Sequence, residues 1–346
     1  MRHMAFLFCV LLAAAASAAA QPKVVNSFST TQFGSTFPGG LGYDTIGDYL
    51  YVADETGKKI YQVTRTGTMK TVIDGQALGM TNPIGAGVDY KGQLLYIADE
   101  KTTAGERVWA LDMRNGFVVV TMGVLGPTTF DVSGLDYNPI SNRIVSGSDG
   151  PGMIYEFDLN FQSVSSISLP ASITDADGLG INTYNGLYLV GDDTNKLLYE
   201  IAPDGWVMNS YTTTSFGVNN PEGICMDPGN GNYFISTTVA PQTVYEVAGG
   251  LTLGPALTSD LVTVPVNTQV TITLRTDTGI WPIGGIALIS PAVIPLNINY
   301  VGPDGTISFR FTNPPSGLGG LKVTLLGAGL NSPGFALSNQ ITIAFN

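Results

Sequence analysis

"YLYVADETGKKIYQVTRTG" (49–67) holds two short strands and the turn between them. Tyr, Val and Ile fill both apolar runs, as pleated surfaces prefer. Asp54-Glu55-Thr56-Gly57 supplies the turn chemistry. The same order returns four more times. The first strand of the pair reappears as "LLYIAD" (94–99), "RIVSGSD" (143–149), "LYLVGDD" (187–193) and "YFISTT" (233–238). The second reappears as "VWAL" (108–111), "IYEF" (154–157), "LYEI" (198–201) and "VYEV" (244–247).

Working outward, each pair is preceded by a glycine followed by an apolar or aromatic residue. These are Gly42, Gly87, Gly134, Gly178 and Gly223, spaced by 45, 47, 44 and 45. After the pair comes another apolar run, such as "KTVI" (70–73), "FVVV" (117–120), "SSISL" (165–169) or "WVMNS" (206–210). Four strands per ~45 residues is the unit of a β-propeller blade. Such a sheet cannot bury both faces alone, so blades pack radially. The fifth unit lacks its outer strand, and "KVVNSF" (23–28) matches the missing piece. The sequence therefore predicts an all-β, five-bladed propeller closed by its N-terminal strand. Six blades is the alternative, if 250–262 holds a degenerate unit.

These repeats resemble the NHL and YVTN-type propeller repeats, through "YLYVADETGKKIYQVTRTG" (49–67) and "PEGICMD" (221–227). "VSGLDYNPISNRIVSGSDGPGMIYEFDL" (132–159) and "ADGLGINTYNGLYLVGDDTNKLLYEIAPDG" (176–205) are similar to gluconolactonase-like and SdiA-regulated propellers. The resemblance spans about two-thirds of the chain after the leader. It specifies a fold, which hosts many functions.

Residues 1–20 read as a secretory signal peptide: Arg2, an apolar run over 5–16, then Ala18-Ala19-Ala20. Secretion, to the periplasm or the exterior, is the expectation. The sole histidine, His3, lies in that leader. Imidazole-based catalysis and His-ligated zinc are therefore not expected. Cys225, between Ile224 and Met226, reads as a small buried side chain. From Gln21 to Pro255 there are 11 Lys/Arg against 24 Asp/Glu, a balance of −13. That excludes a nucleic-acid surface and suits cations.

The period stops near Ala256, which sets domains at 21–255 and 256–346. "LVTVPV", "QVTITLR", "GGIALI", "LNINYV", "TISFRF", "LKVTLL" and "QITIAF" are seven strand-like runs between turns, predicting an antiparallel β-sandwich. "GIWPIGGIALISPAVIPLNINYV" (279–301) is uncharged, but its prolines and paired glycines break a membrane helix, so no transmembrane span is expected. Only three Lys/Arg and three Asp/Glu follow residue 255. Either the surface is simply polar and uncharged, or it contacts the propeller, another copy or a cell envelope.

The residue before each repeat glycine should face one mouth of the channel: Leu41, Ala86, Ser133, Asp177 and Glu222. Asp131 and Asp175 stand two residues before Ser133 and Asp177. Asp177, Glu222, Asp175 and Asp131 are therefore the candidate metal ligands. An oxygen-only set suits Ca2+ or Mg2+. The gluconolactonase resemblance implies a divalent cation in the channel, with Glu222 of "PEGI" and Asp177 of "ADGL" among its ligands. The alternative is that these carboxylates accept backbone N–H bonds where the chain enters the inner strand. "VADE" (52–55), "IADE" (97–100) and "GDDTN" (191–195) read as turn formers. An EF-hand is excluded, because Leu179 stands where an oxygen ligand belongs.

Two functions stay open. One is a secreted binding or scaffold protein, with a protein, glycan or small-molecule ligand at the channel mouth and a docking or self-associating sandwich. The other is a divalent-metal-dependent hydrolase of the lactonase or phosphoesterase kind.

Overall fold

The computed structural model describes residues 21–100, 105–126, 131–148 and 152–251, and beyond 251 the strand segments between Ala256 and Phe345. The predicted leader, 1–20, lies outside the described residues. The first unit is a ring of five four-stranded antiparallel sheets. Blade 1 is β2 (Pro38–Asp44), β3 (Tyr49–Asp54), β4 (Lys59–Thr64) and β5 (Met69–Asp74). Blade 2 is β6 (Pro83–Asp89), β7 (Leu94–Asp99), β8 (Arg107–Asp112) and β9 (Val118–Val124). Blade 3 is β10 (Val132–Asn138), β11 (Arg143–Ser148), β12 (Met153–Phe157) and β13 (Ser163–Ser168). Blade 4 is β14 (Ala176–Ile181), β15 (Tyr188–Asp192), β16 (Leu197–Ile201) and β17 (Val207–Thr212). Blade 5 is β18 (Ile224–Met226), β19 (Tyr233–Thr237) and β20 (Thr243–Ala248), with β1 (Lys23–Ser29) as its outer strand. The N-terminal strand thus completes the last blade, with Lys23 opposite Ala248 and Ser29 opposite Thr243. The six-blade alternative fails, because β21 (Ala256–Ser259) pairs outside the ring.

Burial falls from the axis outward. Every residue of β2 is buried, whereas β9 is exposed almost throughout. Inner strands have a blade on each side, and outer strands face water. Apolar clusters fill the seams. Tyr51, Ile60 and Ile73 of blade 1 pack with Val88, Leu95, Ile97 and Trp109 of blade 2. Leu41, Tyr43 and Val52 of blade 1 pack with Cys225, Phe234 and Val244 of blade 5. Each such fully buried Val, Leu or Ile contributes roughly 1.5–3 kcal/mol.

The recurring aspartates do structural work at the strand ends. The Asp54 carboxylate accepts from Phe37 N (3.1 Å) and Gly57 N (3.2 Å), and that of Asp99 accepts from Thr81 N (2.6 Å) and Asn82 N (2.7 Å). Asp192 does the same for Thr174 N and Asn195 N.

The seam between blades 1 and 5 carries an ionic clasp. Arg65, after β4, donates to Asp227 Oδ2 (2.7 Å), Glu246 Oε1 (2.6 Å) and Tyr43 Oη (2.8 Å). Its guanidinium also lies over the Tyr43 and Phe234 rings, 5.4 and 5.2 Å from their centroids. Such planar, stacked, bidentate work suits arginine and not lysine.

The strands after residue 255 belong to a second compact unit. It holds a three-stranded sheet, β21–β23–β26, where β23 is Gln269–Arg275 and β26 Thr306–Thr312. Its five-stranded sheet runs β22–β28–β27–β24–β25. These are Thr263–Val264 (β22), Gly334–Phe345 (β28), Lys322–Asn331 (β27), Ile283–Leu288 (β24) and Ile294–Tyr300 (β25). Among the described residues these sheets hold eight strands where the sequence suggested seven, and the β22–β28 pair is parallel. The uncharged stretch 279–301 contains the antiparallel β24–β25 pair. Among the described residues, no helix is long and apolar enough to cross a membrane.

Candidate functional site

The first strands of blades 1 to 4 each carry a β-bulge near their start. In blades 3 and 4 the extra residues are Ser133 and Asp177, ahead of Gly134 and Gly178. In blade 5, Glu222 N donates to Ser236 O while Ser236 N donates to Gly223 O, so Glu222 and Gly223 share one partner. The equivalent residues in blades 1 and 2 are Gly39 and Ile84, ahead of Gly40 and Gly85. This corrects the expected mouth set. Leu41 and Ala86 lie two residues further along, each 1 % exposed, with side chains in the inter-blade cores. The ladder brings Gly39, Ile84, Ser133, Asp177 and Glu222 to one level.

Five glycines fix that level. A Cβ on Gly40, Gly85, Gly134, Gly178 or Gly223 would fall within 3 Å of the next blade's inner strand, the last meeting Gly40 and Leu41 of blade 1. Real Cβ atoms do not approach so closely, so the inner strands meet only because these positions lack one. In every blade the ring glycine lies 13 residues before a small partner: Ala53, Ala98, Gly147, Gly191 and Ser236. That interval is the sequence signal that separates Gly40 and Gly85 from Gly42 and Gly87.

Carboxylates collect where the inner strands begin, here called the near mouth. Asp175, Asp177 and Asp193 are all half-buried and each places a carboxylate oxygen within 4.8 Å of the others'. Thr194 Oγ1 donates to Asp175 Oδ2 (2.9 Å), and Lys196 Nζ donates to the Asp193 carbonyl. Burial, then the neighbouring Asp175, holds the Asp193 carboxyl above its usual range, with Lys196 and Asp177 pulling the other way. Asp193 was read above as a turn former within "GDDTN". Its backbone N–H donates to Asp175 O, as those of Glu55 and Glu100 donate to Phe37 O and Asn82 O. The acid after the second strand therefore recurs in blades 1, 2 and 4. Glu55 is likewise raised by burial and by Glu100.

Of the four expected ligands, the structure gathers Asp175 and Asp177, and adds Asp193. Glu222 is not in that cluster. It is buried, and its Oε1 accepts from Asn220 Nδ2 (2.7 Å) and Thr238 Oγ1 (2.9 Å) within its own blade. Asp131 is exposed, and its backbone N–H donates to Ser148 Oγ (3.2 Å). Cys225 is 2 % exposed and burial pushes its thiol well up, which suits a packed side chain and not a nucleophile.

At the other end of the same strands, the far mouth, lies a small, partly open pocket. Every blade contributes to its wall, and Asp136 of β10 is its one carboxylate among the described residues.

No protein-family model matches the chain, and no curated protein matches it. Solved structures do match. Hydrazine synthase of Kuenenia stuttgartiensis is 13 % identical with a TM-score of 0.39, covering 71 % of this chain and 78 % of that one. Virginiamycin B lyase from Staphylococcus aureus is 10 % identical with a TM-score of 0.39, covering 60 % and 65 %. A luciferin-regenerating enzyme is 11 % identical with a TM-score of 0.46, covering 65 % and 95 %. The molecule is a five-bladed β-propeller with further strands after residue 255.

Proposed function

We propose that the protein is a secreted β-propeller binding protein whose near mouth holds a divalent cation, Ca2+ or Mg2+. The observation that carries this reading is the convergence of Asp175, Asp177 and Asp193 within 4.8 Å. Three like charges at that spacing repel one another, and an oxygen-liganded cation relieves the repulsion while filling its coordination shell. Glu55, Glu100 and Glu222 add negative potential at the same level, which concentrates cations there. The bound ion then offers open coordination positions to a carboxylate or hydroxyl of a partner protein, glycan or small molecule.

In this reading the repeats are of NHL type, with the gluconolactonase-like propellers as a more distant likeness. The two C-terminal sheets pack as a sandwich that docks the propeller to an envelope surface or to a second copy. Their six charged residues favour contact over free solvation.

A thermal melt of the full chain with Ca2+, Mg2+ or chelator tests the cation. At about 100 times its Kd, a bound ion adds about 2.7 kcal/mol, or roughly 5–10 °C for a domain of this size. The double variant Asp177→Asn, Asp193→Asn loses that gain. Identical melts in every condition overturn the proposal. Assays of lactone and phosphoester hydrolysis on the same samples separate binding from the hydrolase alternative.

A further inference from the structure

Asp136 occupies a position that its sister blades treat differently. In the ladder register it corresponds to Gly42, Gly87, Gly180 and Cys225. Four inner strands fold with glycine or a thiol there, so the ring does not require a carboxyl at this level. Burying one costs several kcal/mol unless something compensates. The compensation within the fold is partial. Asp136 Oδ1 accepts from Tyr137 N (2.7 Å) and Oδ2 from Ile181 N (2.9 Å). Among the described residues no Lys or Arg side chain pairs with it.

Its surroundings have a definite chemistry. The far-mouth pocket is walled by Tyr43 of blade 1, Tyr90 of blade 2, Tyr137 beside Asp136 itself, Thr183 after β14 and Cys225 of β18. Among the described residues, no basic side chain lines it. Two of these tyrosines already stack against cations on the protein, Tyr43 under Arg65 and Tyr90 under Lys91 at 5.8 Å. The charge of Arg65 is matched by Asp227 and Glu246.

We propose that the far mouth is a binding site for a small organic ammonium ion, a protonated amine or quaternary ammonium, with Asp136 as its counter-charge and the tyrosine rings as its walls. Aromatic rings and a carboxylate are two groups that attract such a cation, and Tyr43, Tyr90, Tyr137 and Asp136 all line this pocket. This site is separate from the near-mouth carboxylates and does not depend on a metal there.

Burial sets how the site responds to pH. It raises the Asp136 carboxyl to about 8, against the two backbone N–H bonds that pull it down. The other titratable and charged groups around the pocket are Cys225, Asp227 and Arg65 on one side, and Asp89, Tyr90 and Tyr96 near Tyr137 on the other. At pH 7 the empty site is mostly protonated, and a cation must displace that proton. Binding therefore tightens about tenfold from pH 6 to pH 7 and levels off above pH 8, with close to one proton released per ligand at pH 7.

Calorimetry on the full chain tests this with choline and tetramethylammonium as probes and 3,3-dimethylbutanol as the uncharged isostere of choline. Titrations at pH 6, 7 and 9, each in two buffers of different ionisation enthalpy, read affinity and proton release together. The expected result is saturable binding of the cations at pH 9, proton release at pH 7, and no binding of the alcohol. Asp136→Asn abolishes the proton release and weakens binding at least about tenfold, with an unchanged near-ultraviolet spectrum. Tyr90→Ala at the rim weakens it less. If Asp136→Asn misfolds, the proton release of the wild type decides by itself. No saturable binding at pH 9, equal binding of the alcohol, or binding with no proton released at pH 7 overturns the proposal.

Discussion

At the start of β14, Asp177 shares half-buried surroundings with Asp175 and Asp193. At the other end of the neighbouring strand β10, Asp136 is alone and buried. The two mouths hold the same functional group under opposite constraints. At the near mouth, burial and then the neighbouring Asp175 raise the Asp193 carboxyl, while Lys196 and Asp177 pull it down. At the far mouth desolvation dominates. A crowd of acids selects a small, hard, multiply charged ion, because several oxygens must be satisfied at once. A single acid among aromatic rings selects one diffuse positive charge.

The strongest way to break this comparison is to disturb the glycine ring between the two mouths. Gly178→Val drives its side chain into the Glu222 carbonyl and Ile224. We expect a loss of about 3 kcal/mol or more, read from urea denaturation, with both mouths disrupted together. Arg65→Ala opens the seam between blades 1 and 5 and leaves Asp227 and Glu246 buried without their cation. The expected loss is about 3 kcal/mol, and Arg65→Lys restores only part of it.

Asp136→Asn sharpens the contrast through pH. The folded state holds the Asp136 proton to about pH 8, whereas the unfolded chain releases it near its ordinary carboxylate value. Wild-type stability therefore falls as pH rises from about 4 to 8. The variant lacks this slope, so it gains on the wild type by a few kcal/mol between pH 5 and pH 9. Denaturation midpoints at the two pH values check it. The smallest effect belongs to the near mouth. Asp177→Asn without divalent ions relieves repulsion and stabilises by under about 1 kcal/mol, and this difference shrinks in 0.5–1 M salt, at roughly the concentrations where screening is short-ranged.

The blades were legible because strands two and three of each repeat, with their Asp-rich turns, are local and regular. The closing role of "KVVNSF" was legible too, since the fifth unit was visibly one strand short. The register of the inner strands was harder. "PGGLGYD" (38–44) and "PIGAGVD" (83–89) each offer two glycines, and a bulge adds a residue that no hydrophobic period records. A slip of two keeps every side chain on its own face, so Leu41 and Ala86 looked as plausible as Gly39 and Ile84. Asp193 was hidden for a different reason. It follows the turn-forming Asp192, and only the fold folds it back against Asp175. Asp136 was passed over because "GLDYN" matches the repeat everywhere except in the charge it buries. Its departure from its four counterparts becomes visible only after the blades are superposed by their ladders.

The pairing of β1 with β20 also governs how the molecule comes into being. Lys23 emerges early from the ribosome and Ala248 much later, so the first strand of the propeller has no partner until the last blade is made. Blades 1 to 4 each contain only neighbouring segments and can zip locally, whereas the joint between the first and last strands of the propeller has the longest loop of the ring to close. Assembly of the ring thus ends where the chain began. Until that step, the unpaired edges of β1 and β20 are both exposed to pairing with other chains.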